Sequence, residues 1–143
     1  VMLQEIKIGI AQSLDKEFEN MNVYTDNIRQ GLDVPCFLIT PLISTENELL
    51  GNRYERSYPF MVQYFPKEDA YQAECAEVQE KLFNCLEYIN VNENVVRGTD
   101  MSGRIVNDIL NFEVTYDRMI WKVRNPEESE LMQALEQHIQ EKE

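Results

Sequence analysis

The chain has 143 residues, enough for one domain that buries roughly two-thirds of its unfolded surface. Hydrophobic residues make up 43% and charged residues 27%, which is typical of a folded protein and excludes wholesale disorder. The 26 Asp and Glu residues outnumber the 13 Lys and Arg residues, and the resulting net charge of −13 argues against nucleic acid or an anionic membrane as the main partner and favours a partner with positive charge.

The predicted elements begin with an amphipathic helix over residues 3–19. Its apolar residues recur at three- and four-residue steps, as Leu3, Ile6, Ile10, Leu14 and Phe18. A short strand is predicted at 23–25. The apolar run 35–44 predicts a central strand in which Pro41 marks an irregularity or a sheet edge, and the polar segment STENE (44–48) is interpreted as a turn.

The third predicted strand, about 53–65, lies in the stretch GNRYERSYPFMVQYFP (51–66), and Pro59 within it indicates an edge or a bulge. The simplest interpretation is that one parity of this strand faces the core, with Arg56 near its outer end. The alternative is that the outer end contacts another protein, because Tyr and Arg are enriched in interface cores. Its residues are Arg53, Tyr54, Glu55 and Arg56. A nucleic-acid surface is disfavoured, because Glu55 lies between the arginines of an acidic chain.

A second helix is predicted from Glu68 or Asp69 to about Asn90. It is followed by a strand around 95–97, a hinge region containing Gly98 and Gly103, and a short strand at 105–106. The last predicted strand runs from 109 to 123 and includes Trp121. Because it is much longer than the usual 5–6 residues, we expect it to project beyond the body or to pair with a neighbouring subunit.

The C-terminal residues 126–143 predict an acidic helix or tail. Its apolar stripe consists of Leu131, Leu135 and Ile139, and it can dock on the body, pair with another chain or fray. Residues 1–125 are predicted to form a single α+β domain, and the predicted order over the whole chain, including the C-terminal helix, is α-β-β-β-α-β-β-α. We expect a mainly antiparallel sheet flanked by helices.

The three cysteines, Cys36, Cys75 and Cys85, are odd in number and form no CxxC pair. Cys75 and Cys85 are ten residues apart, roughly 15 Å along one helix, which is too far for a disulfide. We interpret all three as reduced core thiols of a cytosolic chain. The N-terminal segment has no signal-peptide layout, so export is not expected, and no apolar run reaches the ~20 residues of a membrane span.

The sequence offers no constellation for catalysis, so no catalytic, cofactor-binding or metal-binding residue is predicted. The single histidine, His138, lies in the polar tail, and no zinc spacing, calcium loop, GxGxxG or Walker motif is present. The segment RGTDMSG (97–103) contains Arg97 and Asp100 between glycines. A phosphate-binding nest is conceivable there, but its composition favours a strand-to-strand turn.

Four segments carry a resemblance to a known family. They are VPCFLI (34–39), LLGNRYERSYPFMVQYFP (49–66), ECAEVQEKLFNCLEYI (74–89) and VRGTDMSGRIVNDILNFEVTYD (96–117). In this order and spacing, over residues 3–124, the chain resembles small tail terminator proteins of tailed phages and of prophages in Gram-positive bacteria. The most recognisable pieces are GNRY with YPF, and RGTDM.

The resemblance implies a non-enzymatic virion protein of the tail or neck, made in the bacterial host cytoplasm. Such proteins form a ring, usually hexameric, that stops polymerisation of the tail tube and faces the head-tail connector. The implied partners are therefore further copies, the tube protein and the connector protein, with no cofactor. An acidic ring lumen would let DNA pass without sticking. The alternative is a small cytosolic adaptor or regulatory domain.

We take seven residues as candidate contacts to other proteins. They are Arg53, Tyr54, Glu55, Arg56, Arg97, Asp100 and Trp121.

Overall fold

A computed structural model describes residues 2–25, 33–67 and 71–122. Within them the chain is α+β, with two helices and a seven-stranded, mostly antiparallel sheet. The elements are α1 (Met2–Glu17), β1 (Asn22–Tyr24), β2 (Cys36–Pro41), β3 (Thr45–Glu48), β4 (Arg53–Phe65), α2 (Tyr71–Cys85), β5 (Tyr88–Val91), β6 (Asn94–Val106) and β7 (Ile109–Trp121). The predicted C-terminal helix, its boundary with the body and His138 lie outside the described residues. No helix in the described ranges is long and apolar enough to span a membrane.

Strand β4 organises the sheet, whose order is β1-β2-β4-β7-β6-β5 with β3 also on β4. Among the described strands, only β1 and β2 pair in parallel. One edge of β4 pairs with β7 from Arg53 to Tyr64, while the other edge is shared between β2 and β3. The change of partner falls at Pro59, which has no N–H to donate and whose carbonyl accepts a 2.8 Å hydrogen bond from the Leu42 amide. The edge or bulge predicted at Pro59 is therefore wrong, because β4 lies inside the sheet and pairs with β7 without a break; the proline instead marks the point where β2 gives way to β3.

The core lies on one face of the sheet, because alternate residues of β4 and β7 are buried there. They are Tyr58, Phe60, Val62 and Tyr64 on β4, and Leu110, Phe112, Val114 and Tyr116 on β7. Helix α1 packs against β1, β2 and β5, and α2 against β5, β6 and β7. Both supply apolar residues to the same cluster, including Ile6, Ile10 and Leu82. The prediction that one face of β4 packs in the core is thus confirmed. The prediction that helices flank the sheet is met only loosely.

The element order differs from the predicted one at three places. The predicted turn at 44–48 contains β3, whose residues are all exposed and which forms by backbone pairing with β4 rather than by burial. The predicted second helix ends at Cys85, and its last residues form β5 instead, where Ile89 and Val91 alternate with exposed residues. Asn92 and Glu93, both at positive φ, close the hairpin from β5 to β6.

The two short strands predicted at 95–97 and 105–106 are parts of one strand, β6. An irregularity between Thr99 and Ser102 interrupts its pairing with β7, and Asp100 lies there at a φ of 50°. The glycine-containing segment is therefore a bulge within a strand rather than a hinge between two strands.

Gly98 is where β6 changes partner. Residues 94–97 pair with β5, whereas β6 pairs with β7 from Gly98 onward. The Gly98 amide donates a 2.6 Å hydrogen bond to the Glu87 carbonyl, and a Cβ at this position would lie 2.6 Å from the Leu86 carbonyl oxygen. That oxygen also accepts a 2.7 Å hydrogen bond from the buried Tyr116 hydroxyl. Glycine is required here by the close approach of two backbones.

All three cysteines are free; Cys36 and Cys75 are buried, whereas Cys85 is half-buried. Burial, with a smaller contribution from Glu17, raises the pKa of the Cys85 thiol from 9.0 to about 12. Between these values the folded chain keeps a proton that the unfolded chain releases, so the free energy of unfolding falls as pH rises through this window.

We therefore expect Cys85→Ala to flatten the loss of stability between pH 9 and 11. The difference is at most about 1.4 kcal/mol per pH unit, and less than that because the thiol is partly exposed to solvent. Urea unfolding at several pH values measures it. Burial also raises the pKa values of Tyr64 and Tyr116, so some decline remains in the variant. If the free energy of unfolding of Cys85→Ala fell with pH as steeply as that of the unsubstituted chain, the decline would not come from the Cys85 thiol.

Candidate protein interface

Three strands continue past the helix-covered core and form what we call the arm, residues 45–57 and 117–122. It comprises β3, the first five residues of β4 and the last five of β7, with the turn that joins β3 to β4. Burial on β4 and β7 begins at Tyr58 and ends at Tyr116, and no residue of the arm is buried. The long last strand thus projects beyond the body, as its length predicted.

A polar network ties the strands of the arm together on the face that continues the core side. The Glu46 carboxylate of β3 accepts hydrogen bonds from Arg56 Nε and from Lys122 Nζ, each at 2.8 Å. Lys122 Nζ also lies 4.1 Å from the centre of the Tyr54 ring. The two hydrogen bonds, that of Lys122 first, lower the pKa of Glu46, so the carboxylate stays ionised to a lower pH than that of an isolated glutamate.

The opposite face of the arm carries exposed apolar side chains. Arg53 and Trp121 are paired across β4 and β7, with the guanidinium carbon 5.7 Å from the indole centre. Arg53 Nε also donates a 3.0 Å hydrogen bond to the Leu50 carbonyl. Met119 and Trp121 are 55% and 67% exposed, and Leu50 in the adjoining turn is 83% exposed. A tryptophan with most of its surface in water, held by an arginine, is the type of residue pair that dominates binding at protein interfaces.

Five of the seven predicted contact residues come together on the arm. Arg53, Glu55 and Trp121 lie on its outer face, whereas Tyr54 and Arg56 lie on the inner one. Arg97 and Asp100 lie on β6, outside the arm. Arg97 Nη2 lies 3.9 Å from Glu87 Oε1, and Arg97 is the cross-strand partner of Tyr88 on β5. Asp100 lies in the bulge of β6.

Sequence reasoning missed several residues of this region. Glu46 lay in the segment predicted to be a turn, because TENE is polar throughout and has no apolar alternation that would indicate a strand. Asp117 was also missed. Its carboxylate accepts a hydrogen bond of 2.5 Å from Ser57 on β4 and a weak one of 3.4 Å from Thr99 on β6, which joins three strands at the base of the arm.

A shallow groove of about 470 Å³ lies on the outer face of the sheet, near the β6–β7 turn. Its lining includes Arg104 and Glu113 among neutral side chains, without a nucleophile next to a base. In the part of the chain that the structure describes, no group of three or more His, Cys, Asp or Glu side chains could hold a metal ion. The arm, rather than a cavity, is the surface feature that the geometry singles out.

Most of the chain is similar in sequence to a known protein family. A family model described as phage tail terminator protein matches residues 5–128. No curated protein matches the chain. Several solved structures match; one of them shares 12% sequence identity with a TM-score of 0.44, over 85% of this chain and 96% of the other.

Proposed function

The chain belongs to a phage tail terminator family, and from this membership we propose that it caps the tail tube, ends its polymerisation and joins the tail to the head connector. The match from residue 5 to residue 128 is the observation that carries the proposal. Members of such a family are structural components of the tail rather than enzymes. The proposed partners are the tube protein, the connector protein and further copies of the chain in a ring, which we propose to be hexameric.

The charge distribution supports the arm as a contact surface between copies. The arm holds four basic and four acidic residues, namely Arg53, Arg56, Arg118 and Lys122 against Glu46, Glu48, Glu55 and Asp117. The whole net charge of −13 therefore lies outside the arm. Because acidic surfaces of identical copies repel each other, the neutral arm is the surface on which a second copy meets the least repulsion.

The backbone of the arm supports the same proposal. Since β6 leaves β7 at Gly98, residues 117–121 pair with β4 on one side and with no described strand on the other. This free edge carries Met119, Ile120 and Trp121, with no proline or bulge that would block a further strand. The opposite edge, β3, has four exposed residues, two of them glutamates, as is usual for a protected edge. We propose that a neighbour's strand adds to the free edge of β7.

A head-to-tail contact of this kind gives a ring when the rotation between successive copies brings the last copy back to the first. Any other rotation gives an open filament. The proposal therefore does not require the isolated chain to be a ring, because the tube end can act as the template.

Deletion of the gene in its phage tests the function directly. We expect filled heads together with unjoined tails of abnormal length, visible by electron microscopy, and few infectious particles. Supplying the unaltered gene in trans should restore normal virions. Normal, infectious virions from the deletion strain would end the proposal.

A further inference from the structure

The outer face of the arm presents what we call the arm patch, formed by Leu50, Arg53, Met119 and Trp121. Three of its members are more than half exposed apolar side chains. They lie next to each other, because Arg53 and Trp121 are cross-strand partners, Met119 is two residues before Trp121, and Leu50 bonds to Arg53 through its carbonyl. Water-exposed apolar surface concentrated at one end of a sheet indicates that something covers it.

We propose that the chain's own C-terminal residues 126–143 cover the arm patch in cis in the free protein. The described chain ends at Lys122, immediately after Trp121, so only three residues, 123–125, separate the patch from the segment in the sequence. Pro126 stops an extended strand and favours a reversal of direction. As a helix, these 18 residues extend about 27 Å, longer than the ~17 Å of the five arm residues of β7.

The apolar pattern of the segment fits such a surface. Leu131, Leu135 and Ile139 recur at steps of four and form a single narrow stripe on a helix. A lone helix of this length is marginal in water and is stabilised chiefly by burying such a stripe. Because the segment is covalently joined to the arm through residues 123–125, docking in cis is intramolecular and has a high effective concentration.

Charge is compatible with docking on the arm. Residues 126–143 hold six glutamates and one lysine, a charge of −5, and the arm as a whole is neutral, so the rest of the chain holds −8. On the outer face of the arm, the guanidinium of Arg53 borders the exposed indole, while Glu55 and Asp117 lie farther from the tip on the same face. The glutamates of the segment are therefore favoured next to Arg53, at the tip of the arm.

The inference goes beyond the proposed function, since it concerns the free chain and holds whether or not the chain caps a tail. Met119 and Trp121 belong to both the arm patch and the free edge of β7, but docking on their side chains leaves the backbone groups of that edge open to a further strand.

Trp121 is the single tryptophan of the chain, which makes it a reporter of its own coverage. We expect Leu135→Asp in the full chain to shift Trp121 emission to the red and to roughly double its quenching by acrylamide, because one face of the indole returns to water. The matched control, Gln137→Asp, adds the same charge on the opposite side of the helix and should leave both values unchanged. Circular dichroism and the unfolding midpoint establish that each variant is folded.

Leu135→Gln adds no charge, keeps the helix propensity and should give a smaller change of the same sign, which keeps the test decisive if Leu135→Asp does not fold. Quenching that is the same in all variants would overturn the proposal. A tenfold dilution should not change the quenching of the unsubstituted chain. Quenching that rises on dilution would mean that the segment comes from a second copy, and would overturn docking in cis.

Discussion

Replacing Gly98 with alanine is expected to lower the free energy of unfolding by about 1–3 kcal/mol, the range for forcing an extra methyl group into a well-packed site. The new Cβ would lie 2.6 Å from the Leu86 carbonyl oxygen and 2.8 Å from a methyl group of Val114. Neither can yield freely, because Val114 is buried and the carbonyl holds the Tyr116 hydroxyl at 2.7 Å. Urea unfolding gives the change from the midpoint and the slope.

Gly103→Ala is the matched control, since it is the same substitution on the same strand. There the three atoms nearest to the new Cβ all belong to the side chain of Gln79, which can rotate away. We expect a change within about 0.5 kcal/mol, as for other surface substitutions. Equal losses for the two variants would mean that the intolerance at Gly98 comes from the general cost of changing a strand glycine. It would not then reflect the contact between β6 and the Leu86 backbone.

The strands that bury one face were predictable from the sequence. The predicted bounds of β4, 53–65, are those observed, because Tyr58, Phe60, Val62 and Tyr64 alternate with more exposed residues. The strand β7 was predicted for the same reason. In contrast, β3 has no apolar residue, so its sequence carries no burial signal, and only its pairing with β4 creates it. Ile89, at the end of the apolar stripe of α2, fitted a longer helix equally well.

The candidate interface was predictable only in part, for a related reason. Residues that are neighbours in the chain, from Arg53 to Arg56, could be grouped by reading along the strand. The contacts that organise the arm join residues far apart in sequence, such as Glu46 with Lys122 and Arg53 with Trp121. These contacts follow from strand register, which a single sequence does not reveal when both faces of the strands are exposed.

The largest functional effect is expected from Met119→Lys, which places a charge on the free edge strand of the arm. A charged side chain is a usual means of preventing a further strand from adding at a sheet edge. Met119 is 55% exposed, so the substitution leaves the core intact. If a neighbouring copy docks here, losing an interface hot spot weakens each contact by about 2 kcal/mol, roughly thirtyfold. We expect at least that loss of infectious particles when the variant complements a deletion strain.

Asn47→Lys is the matched control, because Asn47, Glu55 and Met119 lie in one cross-strand row of the arm. It adds the same charge in the same row, but at the opposite edge, on the exposed strand β3. If assembly uses the free edge of β7, Asn47→Lys should complement nearly as well as the unsubstituted gene while Met119→Lys fails. Equal failure of both would indicate that charge anywhere on the arm disturbs assembly. Full complementation by both variants would show that the ring is built from other surfaces. The arm would then have no part in capping the tail tube.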